Sequence, residues 1–283
     1  MKRHRRLRPH RIGQILASII QLAYIPSLWT GFIYQGPLKQ GCVPILTCWG
    51  CPLSLFSCPM GALQHFFNLR LFPFYIFGFF GTIGMLVGRM SCAWVCPFGM
   101  FQDLLYKIKT VKMRLPHWMT YTKYVVLIGV AGIIAWITLE PWFCKLCPAG
   151  ILEAGIPLVL ADRTGDIKAL VGWLFWTKLA ILVGVIVFSI MIKRVFCRVL
   201  CPIGAIYSVF NRFSFIKFKI DRTQCKQPKC GVCNKVCPMD INVHDGPNQK
   251  ECIRCLECYY KCPHVAVKIG LSGNREEPSL QPQ

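Results

Sequence analysis

Eight cysteines of this 283-residue chain fall in two short runs. Cys225, Cys230, Cys233 and Cys237 are separated by four, two and three residues, with Pro238 after the last. Cys252, Cys255, Cys258 and Cys262 are separated by two, two and three, with Pro263 after the last. Closely spaced thiolates can wrap one corner of an iron–sulfur cluster while backbone N–H groups face its sulfurs. Paired CxxC steps can also hold zinc, but a zinc ribbon does not need the Cys-Pro endings. The other ten cysteines include four that open a repeated motif. It reads "CPMGALQ" from Cys58, "CPFGMFQ" from Cys96, "CPAGILE" from Cys147 and "CPIGAIY" from Cys201. Proline is favoured at the first position of a helix, where no N–H is needed. The cysteine before it then sits at the helix cap, where the dipole favours thiolate over thiol. Glycine two residues after the proline allows a close backbone approach. Each copy therefore predicts a thiolate-bearing helix start.

The two C-terminal runs resemble a bacterial two-cluster ferredoxin. That resemblance implies that each [4Fe–4S] cubane takes three cysteines of one run and the fourth of the other. Cys225, Cys230, Cys233 and Cys262 would hold one cluster, and Cys252, Cys255, Cys258 and Cys237 the second. The four-residue step after Cys225 departs from the usual two, with Gln227 and Pro228 as the insertion. "FIKFKI" from Phe215 and "VAVKI" from Val265 read as strands flanking the cysteines, with Ile216, Phe218 and Ile220 on one face. The module runs from 213 to 270, and a polar tail over 271–283 is expected to be disordered.

The rest of the chain must position the remaining cysteines. The composition is 54% hydrophobic with a formal net charge of +21. Such apolarity is unusual in a soluble domain and predicts membrane segments. The basic charge suits a positive-inside membrane protein in contact with lipid. No recognition motif accompanies the Lys and Arg, which sets nucleic acid aside. Four stretches are long enough to read as spans: Ile12 to Tyr34, Leu71 to Val87, Tyr121 to Leu139 and Leu170 to Ile192. Lys and Arg crowd the N-terminal arm, the Lys107–Arg114 loop and Lys193–Arg194. This places both termini on the cytoplasmic side of a cell inner membrane. The expected fold is an α-helical membrane domain over 1–212, with four transmembrane helices in two pseudo-symmetric halves, followed by an α+β ferredoxin module.

That topology sorts the ten cysteines. Cys92 and Cys96 join Cys197 and Cys201 on the inner face. Cys42, Cys48, Cys51 and Cys58 join Cys144 and Cys147 on the outer face. Two CxxxCP motifs after spans, followed by a two-cluster ferredoxin module, look like the membrane quinol dehydrogenase family of periplasmic nitrate reduction (NapH-like). They also resemble the membrane half of NosR of nitrous-oxide respiration. The resemblance covers roughly Leu71 to Gly270. It implies an oxidoreductase subunit of a membrane complex that exchanges electrons with quinone or with a flavin-, haem- or iron–sulfur-containing partner. One further cluster is expected on Cys92, Cys96, Cys197 and Cys201. An outer cluster would use Cys51, Cys58, Cys144 and Cys147, with Cys48 as the alternative to Cys51. Disulfides among the outer cysteines are the competing reading, because spacing does not fix connectivity.

Gln64, Gln102, Glu153 and Tyr207 share one offset, six residues after the motif cysteine, and His65 and Asp103 share the next. They read either as the polar face of interfacial helices or as groups exchanging protons with quinone. The leading function is a membrane iron–sulfur electron carrier. The rivals are a redox-sensing or metallocentre-assembly protein and a transmembrane thiol–disulfide relay.

Overall fold

The computed structural model describes residues 9–27, 32–162, 165, 171–225, 230–244 and 246–271. The basic arm over 1–8, the insertion at Gln227 and Pro228 and the tail over 272–283 lie outside the described residues. The chain is mostly helical. α1 (Pro9–Gln21) is followed by the long loop that carries Cys42, Cys48 and Cys51. A first series then runs α2 (Pro59–Asn68), α3 (Phe74–Val87), α4 (Met90–Trp94) and α5 (Pro97–Leu105). α6 (His117–Thr138) and the short α7 (Trp142–Leu146) connect it to a second series. That series repeats the order: α8 (Pro148–Ala161), α9 (Trp173–Met191), α10 (Val195–Val199) and α11 (Pro202–Phe210).

Among the described residues, α6 and α9 are long and apolar enough to cross a membrane, at 22 and 19 residues. Only 22% and 17% of their most apolar windows are buried. Trp173, Trp176, Val183, Val187 and Phe188 of α9 face outward, as do Val125, Ile128, Ile133 and Ile137 of α6. Leaving a large apolar side chain in water costs about 1.5–3 kcal/mol. A core helix of a soluble protein would bury this surface, so these helices require an apolar surrounding.

The other two expected spans are shorter than the sequence suggested. α3 has 14 residues, because Pro73 occupies its N-cap and Gly88 ends it at positive φ. The stretch Ile12 to Tyr34 is not one helix. α1 stops at Gln21, whose carbonyl accepts the Leu55 N–H at 3.0 Å. The Tyr24 N–H then donates to the Leu53 carbonyl at 3.2 Å. These bonds to the cysteine loop replace the helical continuation. α1 also has an inverted arrangement: His10, Gln14 and Gln21 are buried, while Ile12, Ile15, Leu16, Ile19 and Ile20 are exposed. Apolar-out packing is stable where the surrounding medium is itself apolar.

The expected C-terminal strands form. β1 (Ile216–Ile220) pairs antiparallel with β2 (Val267–Leu271), with Phe218 buried. Between them lie α12 (Val232–Val236) and α13 (Glu257–Lys261), packed on each other. The module is fastened to the helical domain by buried side chains. Arg254 donates to the Val87 carbonyl at 2.8 Å and to the Asn211 carbonyl at 2.9 Å. Asn211 donates to the Gln249 and Cys252 carbonyls. The Trp94 indole donates to the Arg254 carbonyl at 3.2 Å. Gly88 is the hinge point of this joint. Its φ is +60°, and an added Cβ would lie 2.4 Å from both Arg254 Nη1 and Asn211 Oδ1. Gly88→Ala combines backbone strain of about 1–3 kcal/mol, in a conformation left to glycine, with a clash against two buried polar groups. Hydrogen exchange should show faster exchange over 249–255 in this variant, with α9 unchanged.

Candidate metal centres

All four Cys-Pro-x-Gly cysteines sit where the sequence placed them. Cys58, Cys96, Cys147 and Cys201 are the N-caps of α2, α5, α8 and α11, each with proline in the first turn. The motif glycine presents its N–H to the cysteine sulfur. The Gly204 N–H donates to Cys201 Sγ at 3.4 Å. Gly61, Gly99 and Gly150 act on Cys58, Cys96 and Cys147 in the same sense, each favouring thiolate. Burial outweighs this help. It pushes the Cys58 thiol up to about 11 and Cys144 up to about 12. Burial thus opposes ionisation of these thiols, and a bound metal would offset that cost.

Cys92, Cys96, Cys197 and Cys201 converge from the two series. Cys96 and Cys201 each respond to the charges of Cys92 and Cys197. Gln102 donates to Cys197 Sγ at 3.1 Å. The surroundings include two fully buried arginines that sequence reasoning had counted only as topology signals or passed over. Arg89 lies three residues before Cys92, and Arg194 three before Cys197. Arg89 Nη2 donates to the Cys197 carbonyl at 3.3 Å, and Arg194 Nη1 to the Cys92 carbonyl at 3.2 Å. Each arginine thus serves the opposite series. The signal was present in the sequence as a repeated Arg-x-x-Cys-x-x-x-Cys-Pro-x-Gly.

The cysteines of the first loop and of α7–α8 form a second set. An added Cβ at Gly61 would lie 3.8 Å from the Cys144 sulfur, and one at Gly150 3.6 Å from the Cys48 sulfur. The cysteines that meet here are Cys48, Cys58, Cys144 and Cys147. Cys58, Cys144 and Cys147 all respond to the charge of Cys48. Cys51 responds to Cys48 and Glu153 and stands beside Lys39, whose ammonium reaches the Cys51 and Ser54 carbonyls. Cys48, the alternative to Cys51, is thus an electrostatic neighbour of the other three and lies against the motif glycine Gly150. Cys42 lies apart, its sulfur 3.7 Å from Ser57 Oγ.

In the C-terminal module, Cys237 groups with the second run. Cys252, Cys255 and Cys258 each respond to its charge. Cys225, Cys230, Cys233 and Cys262 line one cavity with Ile220, Val267 and His244. All eighteen cysteines are free of disulfides. Among the described residues, no three His, Cys, Asp or Glu side chains converge tightly enough for a single metal ion. Four soft thiols in an apolar wall with backbone N–H donors match the requirements of a cluster, which brings its own irons and sulfides and spreads its ligands wider.

Most of the residues at the shared offset do not form an exposed polar face. Gln64, Gln102 and Tyr207 are fully buried. Gln64 Oε1 accepts the Cys144 N–H at 3.3 Å, and Glu153 Oε2 accepts the Cys48 N–H at 2.8 Å. Gln102 Oε1 accepts the Phe196 N–H at 3.1 Å, next to Cys197. Tyr207 faces Ser91, next to Cys92. Every one reaches across to the cysteine segment of the other series. Asp103 is equally committed. Burial pushes its carboxyl up, but Arg194 and Arg11 more than offset this and hold it low. It forms a two-pronged ion pair with Arg194 at 2.8 and 2.7 Å. His65, by contrast, is exposed.

Comparison with known proteins agrees with this chemistry. The family model described as a 4Fe-4S binding domain matches residues 69–116, 122–157 and 174–223. Those segments contain the Cys92, Cys144 and Cys197 regions rather than the C-terminal cysteine runs. An uncharacterized protein of Methanocaldococcus jannaschii is 31% identical over 199 residues, covering 67% of this chain and 75% of that one. The regulatory protein NosR of Stutzerimonas stutzeri is 28% identical over 70% of this chain, which spans 28% of NosR. The ferredoxin-type protein NapH of Haemophilus influenzae is 25% identical, covering 68% of this chain and 64% of NapH. No solved structure matches. The chain belongs to the polyferredoxin-type family of iron–sulfur electron-transfer proteins that includes NosR and NapH.

Gln102→Leu and Gln64→Leu each strand a backbone N–H, at about 1–3 kcal/mol. Both variants should lower the thermal unfolding midpoint of the detergent-purified protein, and the exposed His65→Ala should leave it unchanged.

Proposed function

We propose that the protein is a membrane-embedded electron carrier with four cluster sites. Cys225, Cys230, Cys233 and Cys262 hold the distal [4Fe–4S] cluster, and Cys237, Cys252, Cys255 and Cys258 the next. Cys92, Cys96, Cys197 and Cys201 hold a third on the cytoplasmic face. Cys48, Cys58, Cys144 and Cys147 hold a fourth on the outer face. In this reading α1, α3, α6 and α9 lie in the bilayer of a cell inner membrane, with both termini cytoplasmic. Quinone or an outer redox protein exchanges electrons with the fourth site.

One observation carries the reading. Cys92 packs against both hydrophobic clusters of the molecule. On one side are Cys96, Cys197 and Cys201; on the other are Ala93, Cys237, Cys255 and Cys258. The first cluster also holds Phe98, Ile76, Cys58 and Cys147, and within it Phe80 packs edge-on against Tyr207. Thiol sets thus lie in two packed clusters that adjoin at Cys92, which suits passage of electrons between them. When bound, the clusters would supply one-electron redox chemistry. The residues supply thiolates, N–H donors to sulfur and exclusion of water. The word regulatory in the name of NosR favours a second reading, in which the same clusters sense redox state without steady turnover.

Iron and sulfide counting on anaerobically purified protein tests the assignment. Four cubanes require about 16 irons, and two require about 8. Cys48→Ser should remove about four irons and a distinct EPR signal, while Cys51→Ser should leave both. The reverse result would move the ligand to Cys51, and an unchanged count in Cys144→Ser/Cys147→Ser would remove the fourth site. Rapid reoxidation by a quinone analogue favours the carrier over the sensor.

A further inference from the structure

Arg89 and Arg194 are nearly devoid of solvent contact, at 0% and 1% exposure. Their heads lie against the two motif glycines of the Cys92 set. An added Cβ at Gly204 would be 3.1 Å from Arg89 Nη2, and one at Gly99 3.4 Å from Arg194 Nη1. The glycines therefore make room for the guanidiniums as well as donating towards sulfur. Both arginines lie within electrostatic reach of the cysteines, and Cys197 responds to each. Their counter-charges differ. Arg194 is matched by Asp103, at 2.7 Å on the same series as Cys96. Arg89 is matched by Glu251 of the ferredoxin module, at 2.7 Å, and Glu251 is shared with the buried Lys123. With Lys123, the buried surroundings of the Cys92 set hold three positive groups against Asp103 and Glu251, and the partly exposed Arg11 stands beside Asp103.

We propose that Arg89 and Arg194 are crossed positioning residues that set the reduction potential of a cluster held by Cys92, Cys96, Cys197 and Cys201. The inference rests on the cluster reading of that set. Each guanidinium fixes the first cysteine of the opposite series through its carbonyl. Each also keeps a positive charge in a low-dielectric place, where screening by salt is weak. Uptake of one electron from the ferredoxin module adds one negative charge, with no bond made or broken. The two guanidiniums favour that more negative state, whereas Asp103 and Glu251 oppose it. The potential is therefore governed by this balance of charges.

The test is an EPR-monitored redox titration of the full chain, purified anaerobically, with iron counted on every variant. The signal of this site is first identified by its loss in Cys92→Ser/Cys96→Ser. Arg194→Gln should shift its midpoint to lower potential, and Asp103→Asn, which unmasks Arg194, to higher potential. Arg194→Lys keeps the charge and should stay closer to wild type than Arg194→Gln. A purely structural role would not give opposite signs for the two members of one ion pair. Unchanged midpoints, or shifts of the same sign, overturn the proposal. If Arg194→Gln does not fold, Asp103→Asn decides alone, because a midpoint that stays put or falls overturns it. Wild-type protein with no signal lost in the cysteine variant overturns the cluster reading itself, and is recognised before any arginine variant is made.

Discussion

A buried peptide N–H or C=O must find a partner, and around the cysteines of this protein several of these partners are side chains from the other half of the helical domain. Gln64 serves the Cys144 segment, Glu153 the Cys48 segment and Gln102 the Cys197 segment. Arg89 and Arg194 serve each other's cysteine carbonyls in the same crossed way. Each series leaves some of its polar groups for the other to satisfy. The cysteine sets are consequently products of closure: each exists only once the two series have met. Apolar packing brings the helices together without direction, while these polar bonds select the register in which four thiols coincide.

Charge is handled with similar economy. The sequence carries far more Lys and Arg than Asp and Glu, and a sequence-level reading assigns the excess to the membrane surface. Part of it is used inside. Arg89, Arg194, Arg254 and Lys123 are all nearly solvent-free. Their partners are two carboxylates, Asp103 and Glu251, together with main-chain carbonyls. Because Glu251 directly precedes Cys252, the same ion pair that satisfies Arg89 also ties the ferredoxin loop to the helical domain. Fastening the module and placing charge near the thiols are thus one arrangement.

The sequence disclosed the four helix starts because proline at the first position and glycine two residues later are local requirements, visible without any tertiary knowledge. It disclosed the strand pair through alternation at Ile216, Phe218 and Ile220. It did not disclose that α1 ends at Gln21, because the bonds that stop it come from Leu53 and Leu55, some thirty residues away in the cysteine loop. Nor does it distinguish Cys48 from Cys51: both stand in "CWGC", and the approach of Gly150 to the Cys48 sulfur comes from the second series, far away in the chain. The shared offset of Gln64, Glu153 and Gln102 is visible in the sequence but their peptide partners are not, since a polar residue on an apolar helix looks the same whether it meets water or a distant peptide group.

The short, inverted α1 has a metric consequence. Its Gln14 side chain donates to the Cys96 carbonyl at 3.3 Å, and its Gln21 carbonyl accepts from Leu55 in the loop before Cys58. Those two anchor points are seven residues apart, about 10 Å along a helix that rises 1.5 Å per residue. The hydrocarbon core of a bilayer is about 30 Å thick. The segments that carry the two cysteine sets are therefore held much closer together than the faces of an ordinary membrane, and α1 acts as a fixed spacer between them. The separation of these two segments is thus set by two turns of α1 rather than by the thickness of a bilayer.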